Sequence, residues 1–325
     1  MTAVLEVEEL SCTIPTSRGN LHTLRNVSLS LERGQILGLV GESGCGKSTF
    51  AKAVSGSLAR NVQSAGRIRL NGQDLADLAP RKRQQVRGRK IGVVFQDPMM
   101  ALNPVVPVGR QIVEIIRYHL GSSRRDATAR AVELFSQVGI SDAAARLALY
   151  PHQFSGGLRQ RVTIAAALAC DPDLLIADEA TTALDVTVQR QILELLTDLV
   201  HQRGMSMILV SHDLGVVAGH THDTAVMYAG KIIEQSPTKQ LFAHPRHRYT
   251  QALLASIPRV DRDVNGRLPV IEGSPPDPAH LPAGCAFAAR CGSVQADCRQ
   301  HFSAESQPLD HRHLCIHPAS KEEVA

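Results

Sequence analysis

Short apolar runs recur along the chain, and the segments between them space their apolar residues as helices do. Apolar and polar residues alternate over much of residues 4–14 and 24–31, which predicts two strands with one buried face. Strands buried on both faces are predicted for the continuous apolar runs 36–40, 91–95, 174–177 and 207–210. Because these strands alternate with predicted helices, the pattern indicates an α/β fold around a parallel sheet.

A long helical pattern and a proline-rich stretch divide the chain. Residues 108–149 have helical spacing, so we expect a helical subdomain of about residues 97–157 inserted between two halves of the α/β part. From Pro258 onward, repeated prolines interrupt any regular element. We therefore predict one α/β domain over residues 1–258 and a small cysteine-rich extension over residues 259–325.

Charge and hydropathy limit the cellular compartment and the kinds of partner that we expect for this chain. The 325 residues carry a formal net charge of +4, which does not indicate nucleic-acid binding. The first ten residues contain Glu6, Glu8 and Glu9 and no basic region, so they do not form a signal peptide. No stretch approaches the roughly 18 apolar residues of a membrane span. We expect a cytosolic chain, in which clustered cysteines suggest a metal site rather than disulfides.

The stretch 41–49 lies between a predicted buried strand and a predicted helix. It reads G-E-S-G-C-G-K-S-T and fits G-x-x-x-x-G-K-[ST], a loop whose backbone N–H groups cradle phosphates. The alternative is a glycine-rich turn with a chance lysine, and the motifs found downstream weigh against it. The candidate nucleotide-binding residues are Gly41, Ser43, Gly44, Cys45, Gly46, Lys47, Ser48 and Thr49.

Further motifs follow in a fixed order. An apolar strand ends in Asp178-Glu179, and Ser155-Gly156-Gly157 opens a helix, where free N–H groups suit an anion. With the phosphate loop, these motifs resemble the ATP-binding subunit of an ABC transporter over about residues 4–258. The resemblance implies a P-loop nucleotide-binding domain with a mixed core sheet, an antiparallel β part, a helical insert and a cysteine-rich extension. It also implies ATP hydrolysis with Mg²⁺.

The resemblance assigns roles to individual residues. It implies that Glu179 is the general base, that Gln96 links the metal and the attacking water to a membrane subunit, and that His212 contacts the γ-phosphate. It implies that Mg²⁺ is held by Ser48, Gln96 and Asp178. The residues implied to face the ATP of a second subunit are Ser155, Gly156, Gly157 and Gln160 of the signature motif, with Asp185 of the D-loop.

Two positions depart from the family pattern. Phe154 stands where the signature motif usually has leucine. No Tyr, Phe or Trp lies between Met1 and Phe50, although the family stacks adenine on an aromatic residue near the position of Ile14. Stacking would then come from apolar packing, from His22 or from the partner.

Several stretches narrow the resemblance to importers of dipeptides, oligopeptides and nickel. Residues 95–104, 155–161 and 182–187 resemble all of these importers, and the C-terminal motif around Cys285 and Cys291 is typical of the peptide branch. The implied partners are a related, non-identical ABC subunit, two transmembrane permease subunits and, indirectly, an extracytoplasmic substrate-binding protein, with the chain on the cytoplasmic face of the plasma membrane. Alternatives are nickel or metal-chelate import, a soluble ABC ATPase without transport, and a catalytically inactive regulatory module.

Four cysteines cluster in the last fifth of the chain: Cys285, Cys291, Cys298 and Cys315. Their spacing lacks the tight pair that is usual at structural zinc sites, yet zinc, an iron–sulfur cluster and no metal all remain open. The family resemblance implies a 4Fe-4S cluster that would stabilise an extension too small to bury its own core. We expect loss of one cysteine to loosen this extension and to leave ATP binding at Lys47 largely intact.

Overall fold

The computed structural model describes residues 3–17, 19–181, 184–257, 270–300 and 311–320. The predicted domain boundary at residue 258 and Ala183 of the D-loop lie outside these ranges. The described strands are β1 (Ala3–Thr16), β2 (Gly19–Glu32), β3 (Ile36–Val40), β4 (Gln63–Leu70), β5 (Gln73–Asp74), β6 (Ile91–Val94), β7 (Leu174–Asp178), β8 (Ser206–Ser211), β9 (Asp223–Tyr228), β10 (Lys231–Pro237) and β11 (Arg312–His313).

Helices connect most of these strands, and the described part contains no helix long and apolar enough to cross a membrane. The described α-helices are α1 (Lys47–Val54), α2 (Pro80–Arg89), α3 (Pro98–Ala101), α4 (Val108–Leu120), α5 (Arg124–Gln137), α6 (Ala143–Arg146), α7 (Gly156–Ala167), α8 (Val186–Arg203), α9 (Leu214–His220), α10 (Thr238–Ala243) and α11 (Arg248–Ala255). Single turns of 3₁₀-helix cover Pro151–Gln153, Ala288–Arg290 and Ala296–Arg299.

The central sheet has the strand order β11-β10-β9-β3-β8-β7-β6. The strands from β9 to β6 are parallel, whereas β10 and β11 are antiparallel at one edge. Every residue of β3 and of β8 is buried, as the continuous apolar runs predicted. Because the carboxyl ends of parallel strands share one edge, the residues that follow β3, β7 and β8 come together there.

A second, antiparallel sheet has the order β2-β1-β4-β5. The two alternating patterns at 4–14 and 24–31 are the halves of one long hairpin formed by β1 and β2. Its apolar side packs with Phe50 of α1 and with β3 and β7 in one core. Phe50 is fully buried, and this contact fixes α1, the helix that begins at Lys47, against both sheets.

Helices α3 to α7 lie in the chain between β6 and β7. Ile112 and Ile116 of α4 pack with Phe135 of α5 in a second core, which continues onto Leu175 and Leu209 of the central sheet. The helical pattern predicted for residues 108–149 is therefore present as three helices, α4, α5 and α6.

The described C-terminal residues, 270–300 and 311–320, pack against both sheets. The N–H of His22 in β2 donates to the carbonyl of Pro278 at 3.0 Å, and β11 extends the central sheet beside β10. Phe287 is buried against Tyr228 of β9 and Tyr249 of α11. This third core joins the C-terminal residues directly to the strands that carry the phosphate loop.

Candidate nucleotide-binding site

The loop between β3 and α1 has the backbone shape that its glycines permit. Gly46 has φ of +116°, and a Cβ there would lie 2.6 Å from the carbonyl oxygen of Thr23. A Cβ at Gly41 would lie 2.2 Å from the carbonyl oxygen of Met227. Glycine is therefore required at both positions, and α1 begins directly after the loop with its N–H groups free for an anion.

Lys47 occupies the centre of this loop. Its side chain is 3% exposed, and its Nζ donates to the carbonyl of Gly41 at 2.6 Å and to that of Glu42 at 3.0 Å. Oε1 of Glu179 lies 4.0 Å from the same nitrogen. The ammonium is therefore held under the loop, in a position to bind a phosphate placed over the backbone N–H groups.

The predicted acidic pair lies at the end of β7, beside the loop. Ser48 Oγ donates to Asp178 Oδ1 at 3.2 Å. Burial raises the pKa of Asp178, and the hydrogen bond from Ser48 opposes that shift. These oxygens are the donors that Mg²⁺ prefers, and a cation here would offset the cost of burying the carboxylate, so the site fits the metal.

Glu179 connects the remaining predicted residues. Gln96, two residues after β6, donates from Nε2 to Glu179 Oε2 at 3.1 Å. Nδ1 of His212, which follows β8, lies 3.6 Å from the same oxygen. The structure therefore brings residues from the ends of β3, β6, β7 and β8 to one edge of the sheet.

The signature residues lie at the start of α7. Ser155 caps this helix, because its Oγ accepts from the N–H of Leu158 at 3.4 Å, and both Ser155 and Gly156 are exposed. A Cβ on Gly157 would lie 2.8 Å from Val188 of α8. Gln160 is 1% exposed, and within the described residues its Nε2 has no hydrogen-bond partner, so it lies beneath this surface rather than on it.

Asp185 caps α8 in the same manner. Its Oδ1 accepts from the N–H of Val188 at 3.0 Å, and the neighbouring Val186 is 83% exposed. The helix starts of α7 and α8 thus place polar caps and an exposed valine on the surface. None of the described hydrogen bonds of Ser155 or Asp185 reaches the phosphate loop of the same chain.

Two known protein families match this chain, one in its N-terminal part and one in its C-terminal part. The ABC transporter family matches residues 24–182, and the oligopeptide/dipeptide transporter C-terminal region matches residues 233–298. The dipeptide transport ATP-binding protein DppD of Lactococcus lactis subsp. cremoris (strain MG1363) is 48% identical over 289 residues, covering 88% of this chain and 82% of the relative. The chain belongs to the ABC transporter family.

Two further relatives have similar coverage. DppD of Bacillus subtilis (strain 168) is 45% identical over 309 residues, which cover 94% of this chain and 92% of the relative. A putative peptide import ATP-binding protein of Brucella melitensis biotype 1 is 49% identical over 296 residues, which cover 91% of this chain and 89% of the relative.

Solved structures share the fold. A dimeric post-hydrolysis state of the ATP-binding cassette MJ0796 bound to ADP and Pi aligns with a TM-score of 0.65 at 25% identity, covering 72% of this chain and 98% of that chain. The cbiO1 protein of Clostridium perfringens, part of an ABC transporter complex, aligns at 0.64 and 28% identity, covering 75% and 92%. The fold is that of an ABC ATPase nucleotide-binding domain, and the chain is an ATPase of this transporter family.

The four C-terminal cysteines of this ABC ATPase are free thiols in one region of the fold. The N–H of Cys285 donates to the carbonyl of Cys298 at 2.8 Å. Burial raises the pKa of the Cys285 thiol, and the nearness of Cys315, Cys298 and Cys291 raises it further. Within the described residues, the metal-ligating side chains that converge within 4.8 Å are Asp297, Cys298 and His317.

Three residues that meet at the phosphate loop were given no role there by the sequence analysis. The N–H of Glu42, inside the phosphate loop, donates to the hydroxyl of Tyr249 at 3.0 Å. Arg290, next to Cys291, donates to both carboxylate oxygens of Glu42, at 2.6 and 2.9 Å. Glu42 occupies a variable position of the loop motif and its partners lie more than 200 residues away, so no local pattern pointed to them.

Proposed function

We propose that this chain is the ATP-hydrolysing subunit that powers peptide import through a membrane ABC transporter. The observation that carries the proposal is the convergence of Lys47, Asp178, Glu179, Gln96 and His212 at one edge of the central sheet. Peptide rather than nickel as cargo is supported by the names of the relatives, which are dipeptide and peptide import proteins over most of this chain.

Each of these site residues has a separate role in the proposed ATP hydrolysis. The loop N–H groups and Lys47 bind the phosphates, and Ser48, Asp178 and Gln96 hold Mg²⁺, which when bound neutralises developing charge on the phosphate oxygens. Glu179 accepts a proton from the attacking water, because its carboxylate lies between Lys47, Gln96 and His212. His212 orients this carboxylate and contacts the γ-phosphate.

A second ABC subunit completes each site. Ser155, Gly156 and Gly157 would bind the ATP held by that subunit, with Gln160 supporting them from beneath and Asp185 contacting the partner. The exposed cap of α7 and the exposed Val186 support a contact surface here, and the matched cassette MJ0796 is dimeric in its solved structure. We take the partner to be a related, non-identical chain.

The permease subunits would dock beside Gln96. Phe95, Met99 and Met100 are 43%, 39% and 85% exposed, and a cavity of about 320 Å³ lies between Phe95, Leu102 and Ile115. An apolar surface next to a residue that contacts Glu179 suits a short helix of a transmembrane subunit. The chain would then lie on the cytoplasmic face of the plasma membrane, and the substrate-binding protein would act through the permeases.

We also propose that residues 1–258 form the nucleotide-binding domain, with the helical subdomain inserted at about 97–157, and that residues 259–325 form the extension. Cys285, Cys291, Cys298 and Cys315 would hold a 4Fe-4S cluster, and four thiolate ligands would cross-link this segment. The nearness of Cys291, Cys298 and Cys315 to Cys285 supports one shared site, and zinc is the alternative occupant.

Replacing Glu179 tests the proposed function. In the full transporter reconstituted in proteoliposomes, Glu179→Gln should retain ATP binding and lose ATP-driven uptake of a labelled dipeptide. Turnover should fall ~10²–10⁴-fold, because the amide cannot accept the proton of the attacking water. Glu114→Gln, at an exposed carboxylate of α4 that pairs with Arg110, is the control and should behave as wild type. Unchanged turnover in Glu179→Gln would contradict the role of Glu179.

A further inference from the structure

We propose that Arg290 is a positioning residue for the phosphate loop, and that through Glu42 it couples ATP affinity to the state of the C-terminal segment. This inference rests on the proposed function, since it requires that ATP binds at the loop containing Lys47. It assigns to the C-terminal segment a part in nucleotide binding in addition to its own folding.

Glu42 is held on three sides. Its carboxylate accepts two hydrogen bonds from Arg290, its N–H donates to Tyr249 Oη, and its carbonyl accepts from Lys47 Nζ at 3.0 Å. Gly41, the other carbonyl bound by Lys47, is the adjacent residue. Movement of Glu42 would therefore displace the ammonium that the phosphates require, and would also turn the first N–H groups of the loop.

The position of Arg290 is set by the C-terminal segment. Its guanidinium donates to the carbonyls of Ile271 and Glu272 and to the hydroxyl of Tyr228, and its side chain is 4% exposed. Arg290 ends the 3₁₀ turn that begins beside Phe287, and Cys291 follows it. Any interaction that orders residues 271–291 therefore also orients the Arg290 guanidinium, whose two N–H groups donate to the Glu42 carboxylate.

The energetics favour a strong coupling. A guanidinium that forms a two-pronged pair with a carboxylate is geometrically restricted. The Arg290 side chain is 4% exposed and the Glu42 side chain 26%, so loss of the Glu42 carboxylate would leave a buried guanidinium without its partner charge. Without Arg290, the partly exposed Glu42 carboxylate would turn toward water, and the loop would lose a fixed point. This proposal differs from the expectation drawn from the sequence, which was that loss of one cysteine leaves ATP binding at Lys47 largely intact.

Titration of the full-length chain with Mg²⁺ and a non-hydrolysable ATP analogue tests the proposal. Arg290→Gln and Glu42→Gln should each weaken binding about tenfold or more, and the double variant should be no weaker than the worse single, because both remove one pair. Arg290→Lys should restore part of the affinity, since lysine retains the charge but not the two-pronged geometry. Hydrogen exchange at residues 41–49 should rise in parallel.

Arg203→Gln is the matched control. Arg203 donates to Asp171 at 2.7 Å and its side chain is 17% exposed, but its described partners, Leu168, Asp171 and Gln137, lie outside the phosphate loop. Arg203→Gln should lower thermal stability and leave nucleotide affinity unchanged. Should Arg290→Gln not fold, Glu42→Gln carries the test, because it removes the charge of the other member of the pair, whose side chain is 26% exposed.

The outcomes separate two failures. Wild-type affinity in Arg290→Gln or, where that variant does not fold, in Glu42→Gln would overturn the positioning role, as would an equal loss of affinity in Arg203→Gln. A wild-type chain that does not bind the ATP analogue would overturn the proposed function itself. Weakened binding confined to the Glu42 and Arg290 variants, with faster exchange in the loop, would support the coupling.

Discussion

The backbone of Glu179 has a left-handed conformation, with φ of +48°. For a residue with a side chain this conformation costs roughly 1–2 kcal/mol. The N–H of Glu179 donates to the carbonyl of Val210 in β8 at 3.1 Å, which holds the turn in place. The carboxylate is thereby directed toward Gln96 and His212, and the strain is stored at the residue that we propose as the base.

Another residue makes the stability of the fold depend on pH. His247 is 2% exposed, and its Nδ1 accepts from the N–H of Tyr249 at 3.0 Å, so the ring must be neutral to cap α11. Burial lowers the pKa of His247 to about 4; the nearby Glu234 opposes this shift and His313 adds to it. In the unfolded chain the histidine pKa is about 6.5.

We therefore expect the fold to lose stability as pH falls from about 6.5 to about 4, by up to about 3 kcal/mol from this histidine. The neutral form is favoured in the folded state, so its contribution is fully present above the unfolded pKa. Chemical denaturation at several pH values would measure the slope. His247→Asn retains a capping side chain and should flatten the slope, whereas His280→Asn, at an exposed position, should not.

Most elements could be predicted from local patterns. The apolar runs that became β3, β7 and β8 were recognisable because strands of a parallel sheet are buried on both faces. The candidate site residues could be expected to lie together because their motifs directly follow strands of the central sheet. The strand β11 has two residues, too few to show a period, and the pairing of Glu42 with Arg290 joins positions 248 residues apart. Only the folded chain brings such residues together.

At the scale of a single element, we predict that the cysteine segment binds iron. Protein purified without oxygen should contain iron and absorb broadly near ~400 nm, because thiolate-bound clusters do. Cys298→Ser should lose the iron, raise hydrogen exchange over residues 270–300 and, through Arg290, weaken ATP binding. Cys170→Ala alters a buried thiol that follows α7, and it should retain the iron. If the wild-type protein is colourless and contains one equivalent of zinc, the site holds zinc and the cluster assignment is wrong.

At the scale of the whole molecule, our proposal is that the site is complete only with a partner. Ser155→Arg should leave ATP affinity in the isolated chain within about twofold, since Ser155 makes no described contact with the loop. In the assembled transporter the same change should lower turnover to about half or less, because the arginine side chain would block the N–H donors of one composite site.

Ser123→Arg is the matched control for the Ser155 change. Ser123 also caps a helix, accepting from the N–H of Asp126 at 3.2 Å at the start of α5, and it is part of the proposed insert. Replacing either serine removes a cap worth about 1 kcal/mol, so a difference in turnover reports on the partner contact. Full activity of the Ser155→Arg transporter would exclude this face from the composite site.

The short strand β11 determines where this chain can be shortened. Its residues pair with Glu234 and Gln235 and cover the outer edge of β10, which would otherwise present unpaired backbone groups to other chains. The same segment supplies His311, whose Nε2 lies 2.7 Å from the fully buried carboxylate of Glu234. A chain ending at residue 257 would therefore expose the edge of β10, where other chains could pair with it, and the buried Glu234 carboxylate would lose a partner. Residues 311–313 are thus part of the packed nucleotide-binding fold rather than a removable appendage.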